Sequence, residues 1–407
     1  MADEAHAVPR RVLPVITVAQ FAGTSLWFAA NAVMPDLQRA LALPAHAVGT
    51  LTSAVQLGFI AGTLVFALLA VADRIPARRV FLACSLAGSA CALLSAWLAP
   101  SLAGLALLRA ATGFFLAGIY PVGMKIAASW YTRGLGGALG VMVGALALGT
   151  AAPHALRALG ADLPWQSVMI GVALLAAGGG LLLYLALPEP PRAAPAAAGS
   201  AARGSLQWRA LGSIVSDARV RASAFGYFGH MWELYTLWVL VPAIVGARLA
   251  GAAVSWASFG VIAAGALGCA AGGWVAQRVG SARVAAWQIA TSGLCCLAAP
   301  WMLGAPDAVF AAWLAVWGVS VAGDSPQFSA LTALNAPRAA VGSVLTLVNS
   351  IGFAISIVSI ELFVRLAQTQ PLATLLPWLA LGPALGLLAL RPLLRPQPAA
   401  ARRGSPG

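Results

Sequence analysis

Charge is what this sequence has least of. Only 9% of its 407 residues are charged, while 61% are hydrophobic. Soluble domains carry roughly 25% charged and about 45–50% apolar residues, and a mid-sized fold still leaves much of its surface in water. The composition therefore argues against a soluble globular chain. Acidic residues are scarcer still, 11 against 24 basic ones. That surplus does not mark a nucleic-acid binder, because the basic residues are scattered between apolar runs and form no stripe. Lysine occurs once, as Lys125. Cysteine is limited to Cys84, Cys91, Cys269, Cys295 and Cys296. An odd count without a CxxC pair argues against a disulfide framework or a cysteine metal site. Within apolar runs these read as small buried residues. HExxH, P-loop and GxSxG patterns are also missing. The sequence thus points to no enzyme, no ATP-driven pump and no cofactor.

What is present is a succession of apolar runs, each long enough to cross a bilayer as a helix. Charge, proline and glycine divide them. One set lies at 12–33, 47–71, 79–99, 103–129, 135–157 and 165–187. A second lies at 221–245, 252–276, 282–303, 308–333, 341–364 and 373–391. Between them, 188–220 is rich in Pro, Ala, Ser and Arg and reads as a solvated linker. The expected organisation is an N-terminal six-helix bundle (1–187), a cytoplasmic linker (188–220) and a C-terminal six-helix bundle with a short tail (221–407).

The loops carry an orientation signal. With the N-terminus in the cytoplasm, eighteen arginines fall on the inner side, and only Arg39, Arg157, Arg248 and Arg365 fall outside. Arg109 and Lys125 lie within spans. Basic residues favour the cytoplasmic side of short loops, so the split supports an even number of spans with both termini inside. Arg10-Arg11, the apolar stretch after them and Ala29-Ala30-Asn31-Ala32 also resemble a cleavable signal. Cleavage would leave eleven spans and upset the charge split.

The two sets repeat each other. Arg74 and Arg79 match Arg278 and Arg283 after the second and eighth spans. Gly118, Pro121, Arg133 and Gly137 match Gly323, Pro326, Arg338 and Gly342 at one offset. Parallel six-span halves are a recurring transporter plan.

On these residues the chain resembles the major facilitator superfamily across roughly 12–391. That family's loop signature, G-x-x-x-D-R-x-G-R-R/K, is supplied here by Asp73, Arg74, Arg78 and Arg79, with Ala70 and Pro76 departing from its glycines. The family's span-four motif appears as Arg109-Ala110-Ala111-Thr112-Gly113. The resemblance implies an all-α membrane protein of twelve transmembrane helices in two pseudo-symmetric six-helix bundles, working by alternating access. It further implies a gate latch at Asp73, Arg74, Arg78, Arg79, Arg278 and Arg283. Spans one, four, seven and ten would then surround a central cavity.

Polar groups inside a bilayer are costly and usually face a cavity. Gln20, Thr24, Trp27 and Asn31 share one face of span one. Interhelical hydrogen bonding would explain them equally. Arg109 and Lys125 lie about 24 Å apart along span four, so one compact ligand cannot readily touch both. Arg109 is the better cavity candidate, and Lys125 lies close enough to the interface to snorkel. Span seven carries Tyr227, His230, Glu233, Tyr235 and Trp238, with His230 and Glu233 neighbours on the helix. Both can carry protons near neutrality, because a low dielectric favours a carboxylate's neutral form. Asp324, beside the kinking Pro326, would bind substrate, carry a proton or pair with a basic residue across the cavity, a structural ion pair being the plainer reading. The expected substrate-binding set is therefore Gln20, Thr24, Trp27, Asn31, Arg109, Tyr227, Trp238 and Asp324, and the expected proton-coupling set is His230, Glu233 and Asp324.

The expected activity is secondary, proton-coupled transport of a small organic solute, with a lean toward anions resting on Arg109. Efflux of drugs or metabolites by proton exchange is the alternative, and a non-transporting membrane sensor is the reading from a different class. The partners expected are the solute, protons and the lipid bilayer, with no nucleic acid. The location is the bacterial inner membrane, and the default state is a monomer.

Overall fold

In lipid every backbone N–H and C=O must find a partner within the protein, which leaves the helix as the natural spanning element for such a chain. The structure, a computed structural model describing residues 8–98, 101–131, 135–188 and 210–395, is accordingly helical, with no strand among the described residues. The first bundle comprises α1 (Val12–Thr24, continued by Ala29–Ala32), α2 (Ala47–Leu68), α3 (Ala77–Trp97), α4 (Leu102–Trp130), α5 (Leu135–Leu159) and α6 (Gln166–Ala186). The second comprises α7 (Ala218–Gly246), α8 (Ala252–Val279), α9 (Ser281–Met302), α10 (Asp307–Asn335), α11 (Val341–Leu366) and α12 (Leu372–Leu394). Ten of these are long and apolar enough to cross a membrane. The other two are α1, which is broken midway, and α9, which is long enough at 22 residues but carries Arg283, Gln288 and Thr291.

Local chemistry sets the ends. Ser101 caps α4 by accepting from the Gly104 N–H at 3.2 Å, and Asp217 caps α7 by accepting from Arg219 and Val220. Gly280 alone joins α8 to α9 at φ +88°, a conformation that glycine adopts without strain. Of the expected linker 188–220, residues 189–209 lie outside the described residues. Ala210–Ser216 is helical and α7 begins at Ala218. Arg133, Arg192, Arg203, Arg209, Arg402 and Arg403 also lie outside the described residues.

The internal repeat is visible in the packing. A Cβ on Gly113, the glycine of the span-four motif, would lie 1.8 Å from the Val55 carbonyl of α2. At the matching place in the second half, a Cβ on Gly318 of α10 would lie 2.2 Å from the Val261 carbonyl of α8. Each glycine lets two backbones meet. Between the halves, α2 packs on α11 and α5 packs on α8.

Candidate functional site

The halves enclose a cavity of about 1040 Å³. It opens at the end of the bundle that carries the α2–α3 and α8–α9 connections, and its wall includes Asp73, Lys125, Tyr120, Gln327, Thr346 and Asn349. Its apex continues into a small pocket lined by Tyr227, Tyr235, Trp238, Ser325 and Phe353 among others.

An aromatic cluster drawn from both halves closes the far side. Trp27 of the first half stacks with Tyr235 at 5.8 Å and Phe353 at 5.5 Å, and Phe59 meets Phe353 at 4.7 Å. Phe28 meets Trp238 edge-on at 6.1 Å. These large faces exclude water across the seam. A polar pin crosses the same seam, where the Ser356 hydroxyl donates to Gln56 Oε1 at 2.6 Å.

The expected substrate-binding residues divide between this wall and the helix contacts behind it. Tyr227 and Trp238 line the apex pocket, and Trp27 belongs to the plug. Gln20 is buried against Gly123 of α4, and neither atom of its side-chain amide has a partner. The Thr24 hydroxyl donates to the Gln20 carbonyl, and Asn31 donates to Thr52 of α2 at 2.8 Å. Arg109 does not reach the cavity. Its guanidinium donates to the carbonyls of Leu26 and Trp27, at 2.9 Å for Leu26. The reason lies in α1, whose helix is interrupted at residues 25–28 and leaves carbonyls without intrahelical donors. A buried guanidinium meets that need in fixed geometry.

Lys125 does line the cavity. Its ammonium donates to the Ala72 carbonyl at 2.6 Å and to Asp73 at 2.5 Å. Asp73 therefore pairs with a cation of its own half. Arg74, Arg79, Arg278 and Arg283 are exposed. Arg78 donates to the Leu187 carbonyl and lies over Tyr184, and Arg278 lies over Trp274.

The expected proton-coupling trio separates into two groups. His230 Nδ1 lies 2.8 Å from Asp324 Oδ1, both side chains are 1% exposed, and His230 Nε2 has no partner. Asp324 sits at the interruption of α10, between Gly323 and Ser325. Glu233 looks elsewhere. Its carboxylate accepts from Ser292 at 2.9 Å, from the Cys296 thiol at 3.2 Å and from Trp317 Nε1 at 2.6 Å. Three residues along a helix turn a side chain through about 300°, enough to aim neighbours at different helices.

Sequence reasoning missed Ser292, Cys296 and Trp317, which surround Glu233, and the seam pair Gln56 and Ser356. It also read Cys269 only as a small buried residue. Its thiol donates to the Ala322 carbonyl at 3.4 Å. The one available signal for that bond was Pro326, whose missing N–H frees the carbonyl four residues earlier.

Two helical bundles joined around a blind cavity, with the far side closed by groups from both, define a membrane transporter. The family model described as Major Facilitator Superfamily matches residues 16–360, and the chain belongs to that superfamily. A crystal structure of a bacterial homologue of the human lysosomal transporter Spinster, inward-facing and unoccupied, superposes with a TM-score of 0.68. The identity is 15%, over 94% of this chain and 96% of that one. No curated protein matches the chain.

Proposed function

We propose that this transporter moves a small amphipathic organic solute by proton-coupled alternating access, with His230 and Asp324 as the coupling pair. The observation that carries this reading is the buried His230–Asp324 contact at the break in α10. A titratable pair inside a span is expensive unless it works, and this one adjoins Tyr227 and Ser325 of the apex pocket.

The substrate class follows from charge. Among the described residues, the formal charges on the cavity wall are Asp73 and Lys125, and they pair with each other. A low-dielectric site without a spare cation disfavours a free anion. Arg109, on which the lean toward anions rested, is committed to α1. Lys125 could serve an anion only by leaving Asp73. An amphipathic solute suits the aromatic apex, and this favours proton exchange with a drug-like or metabolite solute as the second reading.

The distribution of arginines supports a cytoplasmic placement for the open end, so the described state is inward-facing, in the bacterial inner membrane, with both termini cytoplasmic. A monomer with an N-terminal bundle, a linker and a C-terminal bundle is the working unit. Glu233 serves as a clamp between α7, α9 and α10.

The test is uptake into proteoliposomes under an imposed pH gradient, using a panel of neutral, anionic and cationic amphiphiles. Gradient-dependent uptake that Asp324→Asn abolishes and Glu233→Gln retains supports the reading. Full coupling in Asp324→Asn would overturn it.

A further inference from the structure

The break in α10 is held from outside the helix. Pro326 has no N–H to give to the Ala322 carbonyl. That carbonyl accepts instead from the N–H of Asp324 itself, two residues on, and from the Cys269 thiol of α8 at 3.4 Å. One acceptor therefore ties the backbone of the coupling carboxylate to a neighbouring helix.

A second tie comes from α9. The Gln288 side chain passes between α8 and α10 through a slot made of glycines. A Cβ on Gly323 would lie 2.2 Å from Gln288 Oε1, and a Cβ on Gly272 would lie 2.7 Å from Nε2. Gln288 Nε2 donates to the Gly268 carbonyl at 3.2 Å, while its Oε1 has no partner. The glycine immediately before Asp324 is thus packed directly on a polar side chain.

We infer that Cys269 and Gln288 are positioning residues for Asp324, fixing the α10 break so that its carboxylate meets His230. The inference rests on the coupling role proposed above. The titratable groups around Asp324 are His230, Tyr227 and Glu233 on α7, Cys269 on α8 and, from the other half, Tyr120, which neighbours Tyr227 and Cys269. Cys295 and Cys296 of α9 face Glu233.

The experiment has two readouts on the full-length protein. The first is the pH dependence of solute uptake in proteoliposomes. Removing one hydrogen bond changes an equilibrium by roughly two- to tenfold, so Cys269→Ala moves the half-maximal pH by up to about one unit, and Cys269→Ser, which keeps a donor, restores it. Gln288→Leu shifts the profile in the same sense as Cys269→Ala. The second readout is amide hydrogen exchange over residues 319–331, which needs no activity. Exchange there rises in Cys269→Ala and Gln288→Leu and stays at the wild-type level in Cys269→Ser.

Unchanged exchange in both loss variants overturns the inference, whatever the transport data show. Raised exchange with an unmoved pH profile, in a protein whose uptake does follow the gradient, also overturns it, because the break would then be held without serving Asp324. If wild-type uptake ignores the pH gradient, the coupling reading fails, and faster exchange in the loss variants would then support only the hold on the break.

Discussion

Both halves interrupt a long helix near the same place in the repeat, α4 at residues 117–119 and α10 at Asp324, and use the break differently. In each, a glycine stands three residues before a proline, Gly118 and Pro121 in α4 and Gly323 and Pro326 in α10. In the first half the glycine packs on the Cys84 side chain. In the second it packs on Gln288, while Cys269 takes the freed carbonyl and Asp324 occupies the junction. The contrast extends to charge. The first half directs Arg109 to carbonyls of α1 and Lys125 to a carbonyl and an exposed carboxylate. The second half buries His230, Glu233 and Asp324 among one another's helices. A permanent cation on backbone oxygens is a brace. A buried pair of ionisable side chains is, on the reading proposed above, a switch. If His230 and Asp324 couple protons as proposed above, coupling belongs to the second half and bracing to the first.

The sharpest attempt to break this comparison is Asp324→Asn. Gradient-driven uptake should fall to background, while solute binding, read by tryptophan fluorescence, should persist. Loss of binding instead would make Asp324 part of the solute site.

Next in size is Arg109→Met. It strands two buried carbonyls that accepted charged hydrogen bonds, each worth about 1.5–3 kcal/mol, so the thermal midpoint of the purified protein should drop clearly. Arg109→Lys should recover part of it, since an ammonium lacks the forked geometry. A methionine variant as stable as wild type would end the brace reading.

Glu233→Gln replaces one carboxyl oxygen with an amide NH₂ donor, at a site offering three donors. Stability should fall by about 1–2 kcal/mol, with coupling stoichiometry unchanged. A changed stoichiometry would move Glu233 into the switch.

The smallest effect is expected from Asp73→Asn. Its pair with Lys125 is exposed and contributes under about 1 kcal/mol. Melting should not move, but the rate of solute release on the open side should change as Lys125 loses its counter-charge while keeping the Ala72 carbonyl. An unaltered rate would remove both residues from gating.

Much of the frame was legible from the chain. Apolar runs gave twelve helices because lipid leaves the backbone few other choices, and the Gly118/Gly323 and Pro121/Pro326 matches foretold the repeat. The site was legible only in part. Counting polar side chains could not reveal that Arg109 bonds to backbone oxygen, because a helix break is not written in side-chain polarity. His230 and Glu233 read as one pair from their spacing, yet their partners come from helices 59 to 94 residues away. Cys269 read as apolar filler because a thiol's hydrogen bond depends on a proline in another helix.

The aromatic plug has an electrical consequence. A cavity open to water carries the potential of one compartment deep into the protein, so the membrane voltage falls mainly across the closed side, where Trp27, Phe59, Tyr235 and Phe353 meet. Carrying one elementary charge through the full field is worth about 2.3 kcal/mol per 100 mV. On the coupling reading proposed above, a proton reaching Asp324 through the apex pocket that Ser325 lines would cross little of that drop. The voltage acts instead on whatever passes the four rings, so the plug is where an electrogenic cycle would take its energy.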